Sequence, residues 1–284
     1  MNLNFRMIDI GIKLHIREWA GERTPFILLH GLASNSLTWS LVAERLAAAG
    51  HHVVAVDQRG HGLSDKTDDG YDFDTISDDL YRLVERLGVQ RPIICGQSWG
   101  GNVVLAFGAR HPGIARGLGF VDGGFLHLQA NPANTWENIS VRLRPPDLIG
   151  TPRATLKGWI SHAHPDWDEQ GIEATLGNFE TEPDGTLRPW LTLDRHMRIL
   201  RAMWEQNTPA LYPSVHEPVL MCVAERKSDE DTVTVRELVA AAEAGLPRSE
   251  TRWFADTDHD IHVHRPAKLA ELFLASHARG IWSS

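Results

Sequence analysis

Gly96-Gln97-Ser98-Trp99-Gly100 places a serine between two glycines, each two positions away. What flanks the pentapeptide indicates how that serine is held. Pro92-Ile93-Ile94-Cys95 is a short apolar run of the kind a buried parallel strand shows. Downstream, the stretch from Gly101 to Phe107 opens a helix that ends near His111-Pro112-Gly113. A strand turning sharply into a helix forces strained dihedrals on the residue at the turn. It also presses the turn against its neighbours, so the positions two before and two after must be nearly free of side chain. Gly96 and Gly100 meet that demand. The pattern predicts a nucleophile elbow with the Ser98 hydroxyl exposed at the carboxyl end of a sheet. An ordinary glycine-rich loop is the bland alternative, and the strand-to-helix context argues against it.

A serine hydroxyl is a poor nucleophile until a base removes its proton as it attacks. Histidine is the default base because its pKa lies near neutrality. The chain has fifteen histidines, so most are bystanders. His51, His52, His111, His162 and His164 fall in predicted turns or loops and read as solvated. His259 follows a predicted strand, Thr251-Arg252-Trp253-Phe254, and precedes the last predicted helix. That order brings it to the same sheet edge as Ser98, and it is the predicted base, with His262 second by proximity. His259, His262 and His264 crowd one loop. Their mixed spacing, with no cysteine and no i, i+4 pair on a helix, argues against a metal site, and no metal is expected.

Three further segments carry a resemblance. Phe26-Ile27-Leu28-Leu29-His30-Gly31-Leu32 resembles the third strand and His-Gly oxyanion loop of the α/β-hydrolase family. The segment from Val53 through Asp57-Gln58-Arg59-Gly60-His61-Gly62-Leu63-Ser64-Asp65 resembles its D-x-R-G-x-G-x-S stretch. Asp256-Thr257-Asp258-His259, with Pro266 seven residues beyond, resembles the catalytic-histidine loop, which usually reads G-x-x-H. The first two lie about 30 residues apart and the elbow about 40 further on, in the family's order, and the likeness covers nearly the whole chain. It implies an α/β fold: a mostly parallel eight-stranded sheet flanked by helices, with a helical cap inserted after strand six. It also implies that Asp57, Arg59, His61 and Asp65 hold their loop by hydrogen bonds.

The triad's carboxylate, which fixes the imidazole tautomer, is where the chain departs from the family's common pattern. The usual acid position, three residues past Ala224, is Lys227. Asp122 closes the sixth predicted strand, at an acid site that some family members use. Asp229 would serve if its loop carried a two-residue insertion. Both fit the order serine, acid, histidine; Asp122 is favoured. The backbone N–H groups of Leu32 and Trp99 are the expected oxyanion donors. Relatives that open epoxides or remove halogen place aspartate where Ser98 stands, so the resemblance excludes both reactions. It implies a carboxylic-ester hydrolase (lactone or thioester included) acting through an acyl-enzyme on a small to medium apolar substrate, without a cofactor. A carbon–carbon bond hydrolase and a non-catalytic ligand receptor on the same scaffold are the rival readings.

The elements that position these residues follow a simple rhythm. Two antiparallel strands and a first buried strand fill residues 5–30, and Asn35–Ala49 reads as a helix stopped by Gly50. Strand and helix then alternate over 52–57, 74–88, 91–97, 99–111 and 117–122, as in a parallel sheet covered on both faces. The rhythm breaks after Gly123-Gly124 and resumes at 218–223, with a helix near 232–245, a strand near 250–255 and a helix over 266–279. Residues 1–124 and 216–284 therefore form the core and 125–215 a cap, because a structureless loop of that length is improbable. The cap holds Trp136, Trp159, Trp167, Trp190 and Trp204, half of the chain's ten tryptophans. Most read as packing; one or two, such as Trp159 or Trp204, are expected to line a pocket between cap and core.

Composition bounds the partners. The chain of 284 residues, 42% hydrophobic, has room for a large core. A net charge of −9 disfavours nucleic acid and anionic membranes. No apolar run is long enough to span a bilayer, and Met1-Asn2-Leu3-Asn4-Phe5-Arg6 lacks a signal-peptide core. Cys95 and Cys222 both fall in predicted central strands and read as buried free thiols of a cytoplasmic protein. A small-molecule substrate is the expected partner; oligomeric state is not legible.

Overall fold

The computed structural model describes residues 3–225 and 229–282, without side-chain detail for 229–233. In chain order the elements are β1 (Leu3–Asp9), β2 (Lys13–Trp19), β3 (Arg23–Leu29), α1 (Ser40–Ala48), β4 (His51–Val56) and α2 (Phe73–Leu87). There follow β5 (Ile93–Gln97), α3 (Trp99–Arg110), β6 (Gly117–Val121), α4 (Trp136–Arg142), β7 (Thr151–Pro152), α5 (Arg153–Ala163) and α6 (Glu169–Leu176). The chain continues through β8 (Phe179–Thr181), β9 (Thr186–Pro189), α7 (Leu193–Glu205), α8 (Thr208–Leu211), β10 (Val219–Glu225) and α9 (Asp229–Gly245). It closes with β11 (Ser249–Ala255), α10 (Ile261–His264) and α11 (Pro266–Ala278).

Eight strands form one sheet in the order β1-β2-β4-β3-β5-β6-β10-β11. Only the pairs β1–β2 and β2–β4 are antiparallel. The apolar runs that predicted buried strands do so because both faces are covered. Along β3, Ile27 and Leu29 enter the layer containing Val103 and Phe107 of α3, while Phe26 and Leu28 enter the layer containing Val42 of α1 and Phe273 of α11. Each such fully buried side chain contributes about 1.5–3 kcal/mol of transfer free energy. Cys95 in β5 and Cys222 in β10 are free and buried. Among the described residues no helix is long and apolar enough to cross a membrane.

The stretch read as one helix from Asn35 begins as a 3₁₀ turn, Ser36–Trp39, before α1. The Asn35 side chain accepts from the Leu37 N–H at 2.8 Å and so stabilises that tighter start. Residues 125–215 contain α4 to α8 and also a three-stranded sheet, β7-β9-β8, that the sequence reading did not anticipate. These strands have two to four residues each, too few to show a period. The insert has a small core of its own, Leu156, Trp167, Ile172, Leu176 and Leu187, completed by Val263 from α10.

His262 points from α10 into the main core. Its ring lies 4.6 Å from that of Trp39, and neither nitrogen has a hydrogen-bond partner among the described residues. Burial first, then the neighbouring His259 and His30, push its pKa down to about 3. The unfolded chain takes up this proton near pH 6.5 and the folded chain refuses it until about pH 3. Stability therefore falls as pH drops through that window, by about 1.4 kcal/mol per pH unit from this one site. Calorimetry on His262→Leu should show a shallower loss of Tm between pH 6.5 and 4.5 than the parent shows; parallel curves would contradict a buried neutral imidazole.

Candidate active site

The candidate site forms along the carboxyl ends of β3, β5, β6 and β10, where an open α/β sheet presents its loops. At the β5–α3 turn Ser98 has φ 54° and ψ −122°, a left-handed conformation that a serine keeps only when its surroundings over-determine it. They do. The Ser98 N–H donates to the Val121 carbonyl at 2.9 Å, and the Ser98 carbonyl accepts from Gly101 at 2.9 Å and Asn102 at 3.2 Å. A Cβ on Gly96 would overlap the backbone of Gly100, and one on Gly100 would sit 2.5 Å from the His30 carbonyl oxygen.

Asp122, the residue after β6, also has positive φ, 45°. Its N–H donates to the Cys222 carbonyl at 2.7 Å, and its Oδ1 accepts from the Ala224 N–H at 3.0 Å, which clamps it against β10. Its Oδ2 lies 2.6 Å from Nδ1 of His259. Asp122 is buried and His259 half-buried. An ionised carboxylate only accepts, so Nδ1 carries the proton and donates it. Ser98 and His259 line one small cavity of about 160 Å³, together with Leu32, Asn178 and Asp260. Lys227 and the side chain of Asp229, the alternative acid, lie outside the described residues. His262 is buried in the core, apart from this cavity.

The two residues expected to supply main-chain donors lie next to Ser98. Trp99 is the first residue of α3, so no preceding turn supplies an acceptor for its N–H. Leu32 lies in the loop after β3, where an ideal Cβ on Gly31 would come within 3.2 Å of the Ser98 Cβ. Buried neutral histidines shape that loop. His61 accepts from the Ala33 N–H at 3.2 Å through Nε2 and donates from Nδ1 to the Arg59 carbonyl at 2.9 Å. His30 accepts from the Gln58 N–H at 3.1 Å and donates to the Gly31 carbonyl at 2.7 Å. Burial holds both imidazoles below the usual histidine range.

Asp57 is the anchor beneath. It accepts from the Ser36 N–H at 2.7 Å, from His15 Nδ1 at 2.8 Å and from the Leu63 N–H at 3.0 Å. Burial alone would raise its pKa, but these donors and the nearby His30 hold the carboxyl well below its ordinary value. Arg59 makes a bidentate pair with buried Asp79 at 2.7 and 2.8 Å, and Asp65 accepts from the Lys13 N–H at 2.8 Å. Asp57, Arg59, His61 and Asp65 are thus all engaged in hydrogen bonds that hold these loops.

Some contacts were not legible in the sequence. Asn102, in the first turn of α3, accepts from the Gly124 N–H at 2.8 Å and donates to the Leu126 carbonyl at 2.8 Å and to Gln206 Oε1 at 2.7 Å. It thereby ties both ends of the insert to the elbow. Asp258, one residue before His259, accepts from His164 Nδ1 at 3.0 Å and from Trp167 Nε1 at 3.1 Å, both in the insert. His264 accepts from the Asp258 N–H at 3.0 Å and donates to Asp166 at 2.7 Å. Asp166, Asp258 and His264 are grouped closely enough to hold a cation, but both nitrogens of His264 are already engaged by these bonds. Of the histidines expected in solvent, His51 is in fact buried, with Nδ1 2.8 Å from the Thr24 carbonyl.

A larger cavity of about 720 Å³ lies between insert and core and shares Ala33 and Asn178 with the small one. Its tryptophan is Trp190. Trp159 is 55% exposed, and neither it nor Trp204 lines either cavity, which corrects the expectation for those two.

The profile of the alpha/beta hydrolase family matches residues 26–272. The chain is 36% identical over 266 residues to the AB hydrolase superfamily protein YisY of Bacillus subtilis, covering 89% of this chain and 91% of that one. It is 28% identical over 218 residues to 2-(acetamidomethylene)succinate hydrolase of Mesorhizobium japonicum, 76% of each chain. Among solved structures, that of an E-2-(acetamidomethylene)succinate hydrolase superposes with a TM-score of 0.77 at 24% identity, over 96% of this chain and 98% of the other.

The elbow's packing sets a stability test. Alanine at Gly100 must push backbone apart, so Gly100→Ala should cost at least about 2 kcal/mol and lower Tm by roughly 5 °C or more. Gly158, in α5, has nothing within 4 Å of a built Cβ, and Gly158→Ala should be neutral or stabilising by up to about 1 kcal/mol. Thermal melts of the two variants side by side decide it; similar Tm values would contradict the close packing.

Proposed function

The chain belongs to the alpha/beta hydrolase family, and from that premise we propose that it is a serine hydrolase of carboxylic esters, lactones or thioesters. The observation that carries the reading is the meeting of three groups: Ser98 on its left-handed turn, His259 in the same small cavity, and Asp122 2.6 Å from the imidazole Nδ1. With Nδ1 held by the carboxylate, Nε2 is the nitrogen that takes the Ser98 proton as Oγ attacks the acyl carbon. The oxyanion forms where the Leu32 and Trp99 N–H groups stabilise it, aided by the positive end of α3. Protonated His259 then gives its proton to the leaving oxygen or sulfur, and the same imidazole activates the water that releases the acyl group. The larger cavity receives the part of a small or medium substrate that does not react. A cytoplasmic setting belongs to the same reading, supported by two cysteines that form no disulfide.

A second reading keeps the same serine and changes the bond. One relative is named for an acetamido compound, so cleavage of a carbon–nitrogen or carbon–carbon bond stands as the alternative, and product analysis separates the two. A ligand receptor without catalysis is less well supported, because each triad position carries a competent side chain.

A serine-directed fluorophosphonate should label the wild-type protein and leave Ser98→Ala unlabelled. Equal labelling of both would remove Ser98 from the role, and an unlabelled wild type would leave the receptor reading. Asp122→Asn should lower kcat by a factor on the order of 10²–10⁴, since the amide no longer stabilises the imidazolium. Asp229→Asn should stay within about threefold of wild type, and the reverse ranking would move the acid to the loop after β10.

A further inference from the structure

The cavity between insert and core has a charge that the whole chain does not predict. The chain carries 28 lysines and arginines against 37 acidic residues, yet this cavity is lined by Lys66, Arg144, Arg188 and Arg195 against Asp147 and Glu180. Ion pairing removes part of that set. Arg188 is paired with Glu180 and, at 2.9 Å, with Glu182. Arg195 donates to the Lys66 and Thr67 carbonyls at 2.9 Å each and reaches only exposed Asp68, at 3.7 Å.

Lys66 and Arg144 make no close ion pair with a carboxylate among the described residues, although Asp57, Asp65 and Glu180 are near enough to act on the Lys66 charge. The Lys66 ammonium is held by the carbonyls of His61, Gly62 and Ser64 and lies 5.3 Å from the centre of the Trp190 ring. Burial is the first cause of the fall of its pKa to about 8. Such a charge gains from any anion brought beside it, because the surroundings screen it less than water does. Arg144, exposed on the insert, lines the same cavity as Lys66 of the core loop. At the chemical end, among the described residues, neither a lysine nor an arginine lines the small cavity around Ser98.

We propose that the large cavity selects substrates bearing a carboxylate at the end remote from the scissile bond, recognised by Lys66 from the core and Arg144 from the insert, with Trp190 and Leu191 against the apolar spacer. This rests on the serine-hydrolase reading and deepens it. The charge layout orients the substrate: its anion is drawn to the basic cavity rather than to the small one, which no lysine or arginine lines, so the acyl carbon is delivered to Ser98. Electrostatic recognition of this kind adds to specificity and to the rate of capture.

Two series of esters test it and distinguish the side on which the anion is carried. p-Nitrophenyl hemi-esters of glutaric and adipic acid place the carboxylate on the acyl side. Acetate esters of 4-hydroxybutanoate and 5-hydroxypentanoate place it on the alcohol side. Each is compared with a methyl-ended neutral ester of the same length. In at least one series kcat/KM should favour the anionic member by about tenfold at low salt, and the ratio should shrink several-fold at 0.5 M NaCl, an ionic strength with a Debye length of roughly 4 Å. Lys66→Met should lower that ratio mainly through KM. Should this variant fold poorly, Arg144→Glu, at an exposed position, should bring the ratio close to or below one. Equal use of anionic and neutral esters in both series by an enzyme that fluorophosphonate labels at Ser98 would overturn the proposal alone. So would a ratio unmoved by Arg144→Glu. An enzyme unlabelled at Ser98 would overturn the serine-hydrolase reading, and this proposal with it.

Discussion

A serine at φ 54° is a local free-energy cost of about 1–3 kcal/mol, and the arrangement of the molecule around β5 offsets it. The turn persists because both backbone ends of Ser98 are hydrogen-bonded, to β6 before it and within α3 after it. Those bonds require α3 to start at Trp99 and to pack closely over the sheet, and the helix is accordingly buried from Trp99 to Gly108. Close packing in turn excludes side chains at Gly96 and Gly100. The strain at one residue thus dictates the identities of its neighbours and the direction of a helix. It also leaves the Trp99 N–H, next to Ser98, without an acceptor in the helix.

The same logic of satisfied backbone runs through the loops beside it. Asp57 gathers donors from β2, from the turn before α1 and from its own loop, so one buried carboxylate sets the relative positions of three segments. The low pKa that results keeps it ionised through the physiological range, where a proton would remove an acceptor. His30 and His61 extend the network to the loop after β3 as neutral rings, each accepting one N–H and donating one. Removing the His30 ring would leave the buried Gln58 N–H without its acceptor, which costs about 1–3 kcal/mol.

Much of this was legible because it is local. The elbow and the strand-to-helix rhythm depend on spacings within some fifteen residues, and each motif is a short continuous run whose order along the chain a sequence displays directly. Asp122 was legible as a strand end, though its pairing with His259 spans 137 positions. What escaped is long-range and polar. Nothing near Asn102 announces Gln206, 104 positions away, because the bond depends on where the insert returns to the core. The short strands β7 to β9 escaped because they are stabilised by the insert's own packing rather than by any repeating pattern. Trp159 and Trp204 were plausible pocket residues by type alone, and the direction of each side chain is set by tertiary packing that type does not encode. His51 escaped for the same reason: it opens β4, and its ring turns inward against Phe26 at 5.1 Å.

The most consequential of the missed contacts changes how the insert relates to the chemistry. A cap that only shaped specificity would touch the substrate and leave the catalytic loops alone. Here His164 and Trp167 of the insert both hold the carboxylate of Asp258, whose neighbour in sequence is His259, and Val263 completes the insert's core two residues before Arg265. Asp166 holds His264 on the other side of the same loop. The insert therefore grips the histidine loop at Asp258, Val263 and His264, while its other segments form the wall of the large cavity with Arg144 and Trp190. One body of structure both walls the large cavity and fixes the loop that carries His259. A shift of the insert large enough to admit a bulkier ligand would also strain the hydrogen bonds to Asp258, so cavity shape and the placement of His259 are linked by geometry.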